Sequence, residues 1–133
     1  MLRGRCGCRA VAFEVADEFV VAYNCHCSNC RATTGSAFLP WSEIEQEKLN
    51  VTVGADSLML VGEEDTDHEA RCRLCHSLLY WTVRDRGCVR VLYGALVDEP
   101  TRKPMGHMFV GSKAPWYEIS DDLPQHDEYP WDS

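Results

Sequence analysis

An all-β fold is what this 133-residue chain predicts, and two observations predict it. β-branched and aromatic residues gather in short runs separated by turn-forming residues, the composition of strands. Helical periodicity is almost missing, with only one short segment, residues 27–34, that reads as a helix or turn. Many short strands and little helix suggest small sheets packed on one another. Residues 1–133 are expected to form a single domain, long enough to bury a core.

Taken in order, residues 10–15 and 18–24 read as two antiparallel strands turning at Asp17, with Cys6-Gly7-Cys8 at the entrance to the first. The second runs into Cys25-His26-Cys27-Ser28-Asn29-Cys30. Residues 27–34 are closed by Gly35, a residue suited to a helix C-terminus. Residues 36–41 return to strand composition. Residues 42–48 carry Glu43, Glu45 and Glu47 and read as a solvated turn or short helix that Ser42 could cap. Short strands follow at 51–53 and 58–61, joined across 54–57. An acidic loop precedes Cys72-Arg73-Leu74-Cys75. Residues 78–83 and 88–93 read as a hairpin over 84–87, with Val89, Val91 and Tyr93 on one face and Cys88, Arg90 and Leu92 on the other. A last strand is expected at 107–110. The remainder lacks periodicity and is expected to lie irregularly over the body.

The net charge of −8 is concentrated in two places. Acids crowd residues 63–69, and from Glu118 onward there are six acids and no Lys or Arg. Nucleic-acid binding depends on neutralising phosphates with Lys and Arg, so this balance excludes it as an expectation. No apolar run approaches the roughly 18 residues of a membrane span. The chain reaches Arg3, Arg5 and Cys6 without the apolar stretch of an export signal. The expected location is the cytoplasm, with no membrane partner.

The cysteines carry the chemistry. Seven of eight fall into three groups, Cys6/Cys8, Cys25/Cys27/Cys30 and Cys72/Cys75. Bridging neighbours such as Cys6 and Cys8 closes almost no loop, so disulfides there stabilise little. Tight thiol clusters in a reducing compartment point to metal. The two pairs can meet in space as a four-thiolate centre, closed and structural. The triple supplies three soft donors from one short segment, a natural seat for zinc. Its fourth position can be closed by a histidine or left for a substrate, and spacing alone leaves both readings standing. If open, zinc with three thiolates is a weak Lewis acid but a good seat for a substrate thiol, held as the reactive thiolate. His107 is the better candidate for a distant fourth ligand, a general base or simply a hydrogen-bonded core residue; His26, between two ligands, is a candidate for proton transfer or for pointing away from the metal. Cys88 reads as a packed small hydrophobe. A redox role for Cys72/Cys75 lacks the surrounding βαβ pattern, and an iron–sulfur cluster on the same thiols is the minor alternative.

The opening Gly4-Arg5-Cys6-Gly7-Cys8-Arg9-Ala10-Val11-Ala12-Phe13-Glu14-Val15, the stretch Cys25–Arg31 followed by Gly35-Ser36-Ala37-Phe38, the pair Cys72/Cys75 and the closing His107-Met108-Phe109-Val110-Gly111-Ser112-Lys113-Ala114-Pro115-Trp116, with Asp122-Leu123-Pro124-Gln125 and Glu128-Tyr129-Pro130 behind it, form a specific set. The chain resembles the family of glutathione-dependent formaldehyde-activating enzymes, which includes the centromere protein V-like proteins. The resemblance implies a zinc-containing β-tent and two zinc sites: Cys6, Cys8, Cys72 and Cys75 on a structural ion, and Cys25, Cys27 and Cys30 on a second, open one. It further implies a carbon–sulfur lyase-type activity in which a small thiol, glutathione, adds to an aldehyde, formaldehyde, to give S-(hydroxymethyl)glutathione. Arg31 and Lys113 are candidates for meeting a substrate carboxylate. Relatives usually carry Gly after the second cysteine of each pair, where this chain has Arg9 and His76, and Gly is common where Arg73 stands. Such glycines serve a positive φ, so reshaped turns or a weaker structural metal are expected. The competing function is a zinc-stabilised module without catalysis that recognises a protein partner through exposed Trp116, Tyr129 and Trp131.

Overall fold

The computed structural model describes residues 1–132. Its strands are β1 (Leu2–Arg5), β2 (Ala12–Val15), β3 (Val21–Cys25), β4 (Leu39–Glu45), β5 (Leu49–Val53), β6 (Leu58–Val61), β7 (Glu69–Cys72), β8 (Leu78–Val83), β9 (Cys88–Leu92) and β10 (His107–Met108), and α1 spans Ser28–Thr34. The all-β expectation is borne out. Two sheets form, one ordered β1-β2-β5 and one ordered β10-β3-β4-β9-β8-β7-β6. All pairings are antiparallel except β10 on β3. Among the described residues no helix is long and apolar enough to cross a membrane.

Alternation along the larger sheet gives it two different faces. Ile44, Val89, Val91, Tyr80 and Ala70 point to one side, where they meet Leu2, Phe13 and Val15 of the small sheet in the main core. Phe13 meets Tyr80 edge-on at 6.3 Å between ring centroids. Burying each of the larger side chains contributes roughly 1.5–3 kcal/mol. Cys25, Leu39 and Trp41 point to the opposite side and join Met108 in a second cluster, against which Cys27, Cys30, Trp81 and Leu92 pack. The cysteine triple therefore belongs to the face that the small sheet does not cover.

Three local expectations are corrected. Residues 10–15 and 18–24 do not pair: β2 lies between β1 and β5, and β3 lies between β10 and β4. The turn at Asp17 instead carries the chain from one sheet to the other, and the Asp17 carboxylate accepts from Thr101 N at 3.0 Å and Thr101 Oγ1 at 2.6 Å. Residues 42–45 continue β4 rather than forming a turn; Ser42 is fully buried, and Glu43 is only 6% exposed. The strand expected at 107–110 is two residues long and turns into a 3₁₀ segment at Val110–Ser112. The hairpin of 78–83 with 88–93 forms as expected, through a 3₁₀ turn and Gly87 at φ 61°.

Candidate metal centres

Cys6 and Cys8 lie on the connection from β1 to β2, Cys72 closes β7, and Cys75 lies on the turn from β7 to β8. Their four sulfurs lie within 4.8 Å of one another. The Cys6–Cys8 and Cys8–Cys72 sulfur separations are both 3.7 Å. Sulfurs about 2.3 Å from a tetrahedral zinc stand roughly 3.8 Å apart, so the spacing fits that ion. Backbone N–H groups aim at the sulfurs: Val11 N donates to Cys6 Sγ at 3.3 Å, and Leu74 N and Cys75 N donate to Cys72 Sγ at 3.4 Å. Ser77 ties the two turns together, its Oγ accepting from Gly7 N at 2.9 Å and lying 3.1 Å from Cys75 Sγ. That hydroxyl is the main reason the Cys75 thiol is lowered to about 5. Two of the three positions that lack the expected glycine take the backbone conformation a glycine favours. Arg9 and His76 adopt φ 70° and 63°, whereas Arg73 needs no positive φ.

The triple is assembled from a strand end and a helix start. Cys25 closes β3; Cys27 is the N-cap of α1, its Sγ accepting from Cys30 N at 3.2 Å. Cys30 follows in the first turn, and Gly35 at φ 63° ends the helix as expected. Cys25 is buried, while Cys27 and Cys30 are half-buried. The three sulfurs lie within 4.8 Å of one another. Hydrogen bonding from the Cys30 thiol is the largest influence on Cys25 and lowers it to about 6, with the positive charge of Arg90 helping. The same contact pushes Cys30 upward.

Each cluster has the soft donors and spacing to hold a metal ion, compatible with zinc. At the triple, no described histidine or carboxylate brings a donor atom within that distance of all three sulfurs. His26 and His107 are instead engaged with each other, His26 Nε2 to His107 Nδ1 at 2.8 Å, and both are fully buried. His107 is therefore placed as a hydrogen-bonded core residue and not as a fourth ligand. Lys113 donates to the carbonyls of Ala114 and Tyr117. Arg31 has its Nε buried without a partner. Cys88 is buried and stands apart from both clusters, as expected.

Beside Cys30 opens a cavity of about 190 Å³ walled by Leu39, Leu78 and Trp81, with Asp67, His68 and Glu69 at its edge. On the same sheet face, Trp81 and Trp41 stand 6.3 Å apart, and the Arg90 guanidinium lies 4.3 Å from the Trp41 ring centroid. Glu43 accepts from Arg86 at 2.6 Å and from Arg90 at 3.1 Å. Two cations against one carboxylate leave a local positive charge in an acidic protein. Sequence reading missed this group. The alternation placing Arg90 opposite Val89 and Val91 was its available signal, but nothing local placed that face beside Cys25.

The model of the glutathione-dependent formaldehyde-activating enzyme family matches residues 1–112, which include all seven clustered cysteines. A Fusarium vanettenii protein that bears the same family name as a provisional assignment is 35% identical over 78 residues, 57% of this chain. The match covers 42% of that relative's length. A crystal structure of a Rhodobacter sphaeroides protein, determined as a structural-genomics target, is similar with a TM-score of 0.59 and 26% identity over 74% of this chain and 91% of that one. With its fold, its two thiol clusters and this match over most of its length, the chain belongs to the glutathione-dependent formaldehyde-activating enzyme family.

Proposed function

We propose that this protein is a zinc enzyme of carbon–sulfur lyase type that binds a small thiol, glutathione, and forms or cleaves its adduct with formaldehyde. In this reading Cys6, Cys8, Cys72 and Cys75 hold a structural ion, and Cys25, Cys27 and Cys30 hold the ion at the active centre. The observation that carries it is the convergence of three sulfurs with no fourth histidine or carboxylate donor among the described residues. Zinc bound there would accept a thiol sulfur as its remaining donor and favour its thiolate form.

The reaction itself is an addition. The thiolate sulfur forms a bond to the carbonyl carbon, the carbonyl π pair moves to oxygen, and that oxygen takes a proton to give the hydroxymethyl thioether. The chain's own contribution is positioning. Trp81 and Leu39 shape an apolar wall beside Cys30. The positive surplus at Arg86 and Arg90 suits the carboxylates of a peptide thiol, beside the candidate Arg31; Lys113 is already satisfied by backbone carbonyls. The aromatic residues of the competing binding-module reading are all exposed, Trp116 by 69%, Trp131 by 54% and Tyr129 by 42%, and Trp131 stacks on Tyr129 at 5.1 Å and meets Tyr23 edge-on.

The test is the rate of S-(hydroxymethyl)glutathione formation against the spontaneous rate, with Cys27→Ser as control. Acceleration by the wild type, lost in the variant, is expected. A rate equal to the spontaneous one at every thiol concentration would leave the module reading in its place.

A further inference from the structure

His26 stands between two of the clustered cysteines but turns its ring away from them, into the protein, where it is fully buried. Its Nε2 lies 2.8 Å from His107 Nδ1, and His107 Nε2 lies 3.0 and 3.1 Å from the two oxygens of Asp121. With both rings uncharged, the direction of this chain is fixed. An ionised carboxylate only accepts, so His107 Nε2–H donates to it. His107 Nδ1 is then an acceptor, and His26 Nε2–H donates to that. Phe38 lies 5.0 Å from the His26 ring, centroid to centroid, and Tyr117 6.3 Å, closing the ring in from its faces.

The backbone follows the same route. His26 N donates to Met108 O at 2.9 Å and Asn24 N to Gly106 O at 3.0 Å, which fastens β10 to the strand that ends in Cys25. In turn, His107 N donates to Pro124 O at 2.8 Å and His126 N to His107 O at 2.9 Å. The segment from Asp121 to His126 is thus bonded to β10, and β10 to the cysteine segment. None of this segment lies within the stretch matched by the family model, which ends at residue 112.

A hydrogen-bonded ring is fixed in direction as well as in place, which apolar packing alone does not achieve. Fixing the ring of residue 26 fixes the backbone from which Cys25 and Cys27 project. A centre with three protein donors from one short segment has fewer constraints than one with four, so it depends more on such support. We propose that His107 and Asp121 are positioning residues for the Cys25–Cys27–Cys30 centre. They hold His26, and through it the sulfurs on either side, in an arrangement ready for the metal. The proposal rests on the metal reading of the triple given above. The four-cysteine centre, fastened by its own turns and Ser77, is independent of this relay.

The 133-residue chain loaded with zinc is titrated with a chromophoric chelator, and Cys27→Ser, which keeps only the four-cysteine centre, identifies which release step belongs to which site. In Asp121→Leu and His107→Phe, affinity at the triple is expected to fall by about ten- to a hundredfold with the other site unchanged. In Asp121→Asn, whose side-chain oxygen still accepts from His107, it is expected to stay within a few-fold of wild type. Unchanged affinity at the triple in the first two variants would overturn the proposal. So would a parallel loss from both sites accompanied by a lower melting temperature, since that marks general destabilisation. A wild-type protein that binds a single zinc would instead overturn the metal reading beneath it.

Discussion

Arg9 and His76 are held alike: each follows the second cysteine of its pair, and each sits in the left-handed region, at φ 70° and 63°. Arg9 N donates to Cys6 O at 3.2 Å and His76 N to Cys72 O at 2.8 Å, so each turn is closed back onto the first cysteine of its pair. A residue with a Cβ is strained there by roughly 1–2 kcal/mol, and a glycine is not. The cost of holding these turns falls on stability.

The double variant Arg9→Gly, His76→Gly therefore relieves strain at two exposed turns. Part of the gain is offset by the greater freedom of glycine in the unfolded chain. The zinc-loaded variant is expected to be about 1 kcal/mol more stable in urea unfolding, with its zinc content unchanged.

The two clusters should differ in what their loss does. Cys72 is fully buried in the main core, between the two sheets, whereas Cys27 is half-buried at the start of α1. Cys72→Ser is expected to lose one zinc and a large part of the melting temperature. Cys27→Ser is expected to lose one zinc and keep the fold. Metal analysis with thermal unfolding on both variants reads the difference.

Burial pushes His26 down to about 4, against an ordinary value of 6.5. A base whose folded value is depressed stabilises the protein above its ordinary value, and that contribution is lost as pH falls from about 6.5 towards 4. Ring-¹⁵N NMR is expected to find His26 neutral, with its proton on Nε2, throughout pH 8 to about 5.

Arg90 assists the Cys25 thiolate by its charge. In Arg90→Met the Cys25 thiol of the metal-free protein should titrate above about 6. A thiol depressed below its ordinary value of 9.0 adds stability at alkaline pH that is lost as pH falls through about 6. Removing the arginine narrows that window. Thiolate ultraviolet absorbance against pH follows the shift.

What was legible in the sequence was what is local. The cysteine spacings, the helix stop at Gly35 and the hairpin closed by Gly87 depend on neighbours within a few residues. β1 escaped notice because Leu2-Arg3-Gly4-Arg5 lacks strand composition. Gly4 is required there by its partner on the neighbouring strand: a Cβ would stand 2.1 Å from Phe13 Cζ. Glu43 read as solvated because nothing nearby in sequence announces Arg86 and Arg90. The partners of β2 and β3 were misassigned because alternation marks a strand's faces without choosing its sheet. Asp121 is equally distant in sequence from His26, and only the fold brings them onto one hydrogen-bonded chain.

The coordination of the zinc-loaded protein, read by zinc X-ray absorption before and after adding glutathione, tests the central claim most directly. Two ions should carry seven protein sulfurs between them, and glutathione should raise the average sulfur count as its thiol replaces a lighter donor. A spectrum unmoved by glutathione, with both ions already fully ligated by the protein, would contradict it.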